Sequence, residues 1–460
     1  MVNSKTYSLL SILLLGLSCT TLAAGDGSPE QDVLGMDNIE ISGKDTGTLT
    51  QDKGNTGQTE SEYDLSIKKY LQAIHETQEK QGAYGDKVWE QMVGLGVTQQ
   101  NAGHHLEAVA TLNQALHINR VNHGLHNLDQ VPIIDLLIKS NTALSDWKAL
   151  DQNFHYLYWL YRRVYGENDM RLLPVIDRVG LWHLNAYKLG ESDNPLAHLL
   201  AAQNLYSDAV NIIEINQGEL NPGEINPLYG IMLTNYLMAV HASASPDTDE
   251  LRSSITMSNQ SFRRCGSSFV SHRDPFFDNC YDPLYMEEEE ANRQEIISTS
   301  YRNGKKALTR MIDVYEKNPS LPPEDHAMAY IRLGDWYMLF NRPSSATKSY
   351  EKAYALLENS KSDTREQLFG SPRSLPEMHF MLTAKQTDKP DQDRKYILVS
   401  VDISETGKAR NIQVLESSPP ADQATIRQAQ KSVRNTRFRP RFENGQPVAT
   451  HGYKLRYELN

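Results

Sequence analysis

Cysteine is scarce in this sequence of 460 residues, which contains only Cys19, Cys265 and Cys280. Three cysteines cannot build a four-cysteine zinc site, and the histidine and aspartates between the last two match no zinc-ligand spacing. We therefore expect no metal site and no cofactor.

Recognisable catalytic motifs are also missing. The sequence has no phosphate-binding loop, no dinucleotide-binding glycine pattern and no nucleophile elbow. His104 and His105 with Glu107 lack the spacing of a metalloprotease helix, while His123 and His126 fall in a turn between helices. These absences predict a protein that is not an enzyme and has no small-molecule substrate.

Long hydrophobic runs are absent beyond the N-terminus, and the mean hydropathy is -0.55. Residues 1–24 differ, because Lys5 precedes an apolar stretch from Tyr7 to Leu17 and small residues end at Ala24. This order is typical of a cleaved signal peptide and predicts export. Two alternatives keep the chain attached to a membrane, namely lipidation at Cys19, which has a poor lipobox before it, and an uncleaved anchor.

Cleavage after residues 1–24 removes Cys19 and leaves Cys265 and Cys280 in an oxidising compartment. An even number of cysteines in such a compartment favours a disulfide. We expect the two to be joined.

Charge is unevenly distributed along the chain. The net charge is -12, yet residues 391–460 contain 12 Lys and Arg against 8 Asp and Glu. The basic end could attract nucleic acid, but an acidic exported protein makes that partner implausible. We expect association with other proteins instead.

The body of the chain reads as paired helices. Residues 25–60 are polar and aperiodic, which predicts a flexible leader, whereas residues 61–358 show helical periodicity. Residues Leu95, Gly96, Ala108, Leu112 and Ala115 have the spacing of a helix pair, and the spacing recurs at Tyr330, Leu333, Gly334, Tyr337, Ala346, Tyr350 and Ala353. These positions resemble the tetratricopeptide repeat family, which implies an α-solenoid.

A period of 42 residues supports this interpretation. It separates Gly82, Gly124 and Gly166, and likewise Leu95, Leu137 and Val179. The repeat predicts one continuous solenoid, interrupted by a polar insertion at 243–286 that holds the two cysteines. The aromatic residues Trp147, Tyr156, Tyr158, Trp159 and Tyr161 crowd one helix, where we expect them in the core and leave a groove as the alternative.

A linker is predicted at 359–390, and a small domain at 391–460. Tyr396–Ile403 alternates as a strand, Gly407 closes a turn, and a second strand runs from Ala409 to Glu416. A helix begins after Asp422, and Tyr453, Leu455 and Tyr457 alternate with Lys454 and Arg456 in a last strand. The predicted fold class is therefore mainly α, a tetratricopeptide-like α-solenoid followed by a small α+β domain of order β-β-α-β.

Three ordered motifs carry a second resemblance. They are the run from Val399 to Pro419, the segment Arg434-x-x-Arg-Phe-Arg-Pro440 and the end Tyr453-x-Leu-x-Tyr-x-Leu459. Together they are similar to the C-terminal domain of TonB-type energy transducers. The usual Tyr-Pro pair before the first strand is missing here, where Leu375–Phe380 stands, so contacts of that segment cannot be carried over.

The resemblance implies a periplasmic domain that captures an extended segment of outer-membrane transporters along its last strand. Tyr453, Lys454, Leu455, Arg456 and Tyr457 are then the peptide-binding residues. We expect a non-catalytic adaptor in the cell envelope whose repeats bind other envelope proteins. An anchored energy transducer, or a structural envelope protein whose terminal domain self-associates, are the alternatives, although no Pro-rich spacer supports the transducer.

Overall fold

A computed structural model describes residues 56–190, 194–244, 290–358, 362–376 and 396–458. The expected signal peptide, nearly all of the leader, most of the 243–286 insertion with Cys265 and Cys280, and much of the 359–390 linker lie outside the described residues. Those expectations stay predictions.

The described part of the chain is mainly helical, with short strands at its C-terminal end. The helices are α1 Thr56–Gln81, α2 Asp86–Asn101, α3 His105–His123, α4 Gln130–Leu144, α5 Trp147–Tyr165, α6 Leu173–Leu189, α7 Pro195–Gln217, α8 Ile225–Ala244, α9 Glu290–Lys317, α10 Pro323–Leu339, α11 Pro343–Leu356, α12 Ser362–Phe369 and α13 Gln423–Asn435. The strands are β1 Arg373–Leu375, β2 Tyr396–Ile403, β3 Ala409–Ser418, β4 Arg437–Arg439, β5 Arg441–Glu443, β6 Gln446–Val448 and β7 Thr450–Glu458. None of the described helices is long and apolar enough to cross a membrane.

The chain forms two compact units. The first in sequence contains residues 41–219 and 240–295, and the second contains residues 220–239 and 296–460. Within the described residues, the first unit holds α1 to α7, and the second holds most of α8 and α9 together with everything C-terminal to them.

Glycines end the second helix of each pair in the first unit. Gly124 and Gly166 follow α3 and α5 with φ of +84° and +91°, and Gly82 and Gly218 follow α1 and α7 in the same region. Each donates its backbone N–H to the carbonyl four residues earlier, as Gly124 does to Arg120. Because a side chain at positive φ is strained, the 42-residue glycine period marks a repeated helix end.

Small residues allow close helix packing inside the pairs, as the sequence predicts. A Cβ added at Gly96 in α2 would lie 2.7 Å from Leu112 in α3, and one at Gly180 in α6 would lie 2.8 Å from the ring of Tyr206 in α7. Helix α4 contributes Leu137 to the core that it shares with α2 and α3, and Ile138 to the next core, shared with α5 to α7. Successive pairs therefore stack, as in tetratricopeptide-like solenoids.

The aromatic residues of α5 pack on the core of the first unit. Trp147, Tyr156, Tyr158, Trp159 and Tyr161 are partly buried against the cluster formed by α4 to α7. The hydroxyl of Tyr156 donates to Gln130 at 2.7 Å, which satisfies its polar atom. The core interpretation of this helix is confirmed.

The second unit repeats the pair geometry in α10 and α11. A Cβ at Gly334 would lie 2.3 Å from Cε1 of Tyr350, so only glycine allows this approach without a shift. Ahead of this pair, Arg310 of α9 donates to the fully buried carboxylate of Glu224, just before α8, at 2.7 Å. This ion pair joins two segments separated by the insertion.

The C-terminal domain is built on a three-stranded antiparallel sheet of order β3-β2-β7, with α13 packed on one face. Ile397, Val399, Val401 and Ile403 of β2 are all buried, which confirms the predicted alternation. Gly407 has φ +68° at the hairpin turn, and Asp422 accepts from the N–H of Thr425 at 2.8 Å as the helix cap. The buried positions expected at Ile412 and Val414 are only half-buried.

Four short strands were not predicted from the sequence. Strand β1 pairs with β4, and β5 pairs with β6 across the turn at Asn444 and Gly445. Both turn residues have positive φ, which suits an Asn-Gly hairpin. Segments of three residues carry too little periodicity to be recognised in advance.

Candidate peptide-binding edge

Strand β7 lies at an edge of the three-stranded sheet. It pairs with β2 in antiparallel register, from Thr450 opposite Ile403 to Glu458 opposite Tyr396. On its other side no strand of the described chain pairs with β7. An edge strand presents a row of backbone N–H and C=O groups, which is the template for adding another strand.

The side chains of β7 divide between two faces as the sequence predicts. Tyr453, Leu455 and Tyr457 are half-buried and pack on the cluster that includes Ala429 and Val433 of α13. Their neighbours Lys454 and Arg456 are exposed. The five predicted binding residues are thus brought together on one strand, with the aromatic and leucine side chains holding the strand in place.

The exposed face of β7 is basic and partly ordered by an aromatic ring. The guanidinium of Arg456 lies 4.1 Å from the ring centroid of Tyr396 on β2, a cation–π contact. The hydroxyl of Tyr396 in turn donates to Glu416 on β3 at 2.6 Å. This face therefore presents Arg456 in a defined position beside the free edge.

A carboxylate fixes the start of β7. Asp402 of β2 accepts from the amide of Asn411 at 2.7 Å and from the backbone N–H of Gly452 at 2.9 Å. These hydrogen bonds, with that from Asn411 first, lower the pKa of Asp402 below its ordinary value. The ionised carboxylate thus ties all three strands at one end of the sheet.

The domain is held to the last helix pair by a buried ion pair. Arg439 of β4 donates from Nε to Oδ1 of Asp335 in α10 at 3.0 Å, and from Nη2 to Oδ2 at 2.6 Å. The two side chains are 1% and 7% exposed. Tyr350 of α11 donates its hydroxyl to the same carboxylate at 2.8 Å, and Arg439 also donates to the carbonyl of Leu368. Bidentate geometry and full hydrogen bonding are what a buried charge pair requires.

Aromatic rings surround this ion pair. Phe442 of β5 lies 5.1 Å from Phe369 and 5.8 Å from Tyr350, measured between ring centroids, and stacks with Tyr354 at 6.2 Å. The burial of Phe442 links the C-terminal domain to α11 and α12. Residues 362–376, within the predicted linker, supply α12 and β1 to this contact.

The basic segment from Arg434 to Arg441 is therefore largely a packing element. Arg439 is buried, and Arg441 pairs with Glu443 at 2.6 Å. The sequence did not reveal the contact, because Asp335 and Arg439 are far apart in the chain. The available signal was Asp335 itself, a charged residue inside the tetratricopeptide-like packing motif beside Gly334.

The histidines considered from the sequence do not form a site. His104 precedes α3, and His123 pairs with the exposed carboxylate of Asp86 at 3.1 Å. Other histidines do come together, in α5, α6 and α7, and they are described below.

The end of the chain matches a known domain family. Residues 396–459 match the family model for the Gram-negative bacterial TonB protein C-terminal. The chain ends in a TonB-type C-terminal domain. Such a domain, together with tetratricopeptide-like pairs, implies protein–protein interaction. No curated protein matches the chain.

Solved structures similar to this chain include two helical proteins. BtubC (BKLC) from P. vanneervenii is 11% identical with a TM-score of 0.30, over 66% of this chain and 91% of that one. A tetratricopeptide repeat protein from Parabacteroides merdae is 12% identical with a TM-score of 0.24, over 68% of this chain and 98% of that one.

Proposed function

We propose that this protein is a non-catalytic periplasmic adaptor whose TonB-type domain docks an extended peptide on strand β7. The peptide belongs to an outer-membrane transporter, and the helical repeats bind other envelope proteins. The observation that carries the proposal is the position of β7 at the sheet edge, within a domain of the TonB C-terminal family.

Strand addition explains why the side chains of β7 divide as they do. Backbone groups supply affinity in this mode of recognition, while alternate side chains supply specificity. Tyr453, Leu455 and Tyr457 are occupied in packing on the α13 side, so the strand stays in register when a peptide arrives. Lys454 and Arg456 face solvent and favour an acidic or C=O-rich segment.

The ion pair between Arg439 and Asp335 supports the adaptor role. It joins the peptide-binding domain to the last helix pair inside one compact unit. A partner bound by α10 and α11 is then held at a fixed distance from a peptide bound at β7. Binding at two linked sites raises the effective concentration of one partner for the other.

Proline substitution tests the docking edge, because proline removes one backbone donor. Successive N–H groups of a strand point to opposite sides, so one of Lys454→Pro and Leu455→Pro removes a donor from the free edge and the other from the pairing with β2. The full exported chain is titrated with synthetic periplasmic segments of outer-membrane transporters. We expect the variant that keeps wild-type circular dichroism and thermal unfolding to bind at least about 10-fold more weakly, the cost of roughly one lost hydrogen bond and a steric clash.

The opposite edge provides a matched control. Gln413→Pro and Val414→Pro place the same change on β3, and the one that leaves the fold intact should bind the peptide like wild type. If wild type binds no such segment while it still associates with envelope proteins, docking at β7 is wrong and the repeats are the binding surface.

Periplasmic location is tested by the N-terminal residue of the protein recovered from cells. Removal of residues 1–24 and release with the periplasmic fraction are expected. Retention of Met1 with sedimentation in the inner membrane would favour the energy-transducer alternative, and a lipid on Cys19 would place the adaptor on a membrane surface.

A further inference from the structure

Three histidines and an aspartate meet inside the first unit. Asp151 and His155 lie one turn apart on α5, His183 lies on α6 and His198 on α7. His183 and His198 are 1% and 8% exposed. A group of this kind in the interior of a helical repeat is not needed for packing, because apolar side chains of the same size would fill the space.

The polar atoms of this cluster face one another at short distances. Nδ1 of His183 lies 2.9 Å from Nδ1 of His198, and Nε2 of His183 lies 3.2 Å from Nε2 of His155. Donor atoms of Asp151, His183 and His198 all lie within 4.8 Å of one another. Zinc bonds of about 2.0–2.1 Å place tetrahedral ligand atoms about 3.3 Å apart, so small side-chain rotations suffice to surround one ion.

The protonation state of the imidazoles suits ligation. Burial lowers the pKa of His183 well below its ordinary value and also lowers that of His198. Both rings are therefore neutral at pH 7, with a nitrogen lone pair available. Asp151 is held by the indole N–H of Trp182 at 2.9 Å and lies 3.3 Å from Nδ1 of His155.

We propose that Asp151, His183 and His198 bind one divalent transition-metal ion, with zinc as the first candidate. Two imidazoles and one carboxylate are a ligand set that zinc accepts, with a fourth position for water or a further side chain. His155 lies at the Nε2 side of His183 and orients that ring while Nδ1 faces His198. The sequence analysis expects no metal site, and it misses this one because the ligands are spread over three helices with no short motif.

The bound ion would join three consecutive helices. The ligands come from α5, α6 and α7, so the ion bridges the pair α4–α5 and the pair α6–α7 across their shared core. Repeat proteins depend on the interface between neighbouring pairs for stability. Metal binding therefore adds to that interface and makes the stability of the first unit depend on metal supply.

The test begins with the full chain, stripped of metal by a chelator and dialysed. Zinc chloride is titrated in by calorimetry, and cobalt chloride is added in parallel to follow its visible absorption bands. One ion per chain, cobalt bands typical of a tetrahedral nitrogen and oxygen site, and a rise of several degrees in the unfolding midpoint with zinc are expected. Circular dichroism before addition of metal checks that the helices are intact.

Variants separate this cluster from the other histidines. His198→Gln and Asp151→Asn should each weaken zinc binding by at least about 100-fold, since even residues that only orient a ligand are worth 10–100-fold. His155→Gln should weaken it less. His126→Gln is the matched control, because His126 is exposed in a turn after α3, and it should bind zinc like wild type.

Two outcomes overturn the proposal. One is a folded wild-type chain that takes up no stoichiometric zinc or cobalt at micromolar free metal, which would leave the cluster as a hydrogen-bonded chain of neutral imidazoles. The other is zinc binding that is unchanged in both His198→Gln and Asp151→Asn, which would assign the ion to other residues. A variant that loses its helical signal without metal but regains it with zinc still reports metal binding at the changed site, through the concentration required.

Discussion

At the scale of single residues, Arg439 carries the largest energetic consequence. Its charge is almost completely removed from water, and the carboxylate of Asp335 with the hydroxyl of Tyr350 compensates for that removal. A buried pair of this kind contributes little beyond what a well-packed apolar pair would contribute, yet it is costly to break from one side. The pair therefore specifies where the TonB-type domain packs more than it stabilises the fold.

Arg439→Met should destabilise the contact between β4 and α10 by about 3–5 kcal/mol, because Asp335 remains buried without a counter-charge. Hydrogen exchange of the amides in β4 and α10 measures this as a loss of protection. The double variant Arg439→Met, Asp335→Asn removes both charges and leaves Tyr350 an acceptor, so it should recover much of the loss. Equal exchange in the double and single variants would contradict this account.

The same residue shows what the sequence could and could not reveal. Alternation in β2 and β7, the turn at Gly407 and the cap at Asp422 are local patterns, and the structure confirms each of them. The Arg439–Asp335 pair is a contact over a long sequence separation and leaves no local pattern. The histidine cluster was missed for the same reason.

At the scale of helices, the repeated glycines decide how closely neighbours pack. Gly96 and Gly334 hold corresponding positions, yet a Cβ would meet a flexible leucine in the first case and a buried tyrosine ring in the second. The ring of Tyr350 cannot withdraw easily, because its hydroxyl is bonded to Asp335. The two glycines should therefore differ in their tolerance to substitution.

Gly334→Ala should lower the stability of α10 and α11 by about 1–3 kcal/mol, the usual range for an overfilled core. Gly96→Ala should cost less, since Leu112 can rotate and alanine favours the helix by up to about 1 kcal/mol. Thermal unfolding followed by circular dichroism, with hydrogen exchange to locate the change, ranks the two. A Gly334→Ala chain that is as stable as the Gly96→Ala chain would show that the ring moves freely.

At the scale of the whole molecule, the helical repeats were predictable because their glycine and leucine periods repeat every 42 residues. The boundary between the repeats and the terminal domain was less predictable. Part of the expected linker forms α12 and β1, and these elements pack with Phe442 and pair with β4. The terminal domain therefore has a larger structural neighbourhood than residues 391–460.

A fragment of residues 391–460 should consequently be less stable than the same residues in a fragment of 290–460. The short fragment exposes Phe442 and leaves Arg439 without its partners, whereas the long one keeps α10, α11, α12 and β1. Urea unfolding, with hydrogen exchange of the β2 and β7 amides in both fragments, makes the comparison. Identical protection in the two would show that the domain is independent of the helices.

The antiparallel pairing of β7 with β2 also has a mechanical consequence. Hydrogen bonds in such a ladder run perpendicular to the strands, so tension along β7 loads them simultaneously, whereas tension across the sheet breaks them one after another. A peptide added at the free edge of β7 continues this ladder and is subject to the same asymmetry. A transporter segment held there would resist traction parallel to the strand and detach readily when it is peeled from one end.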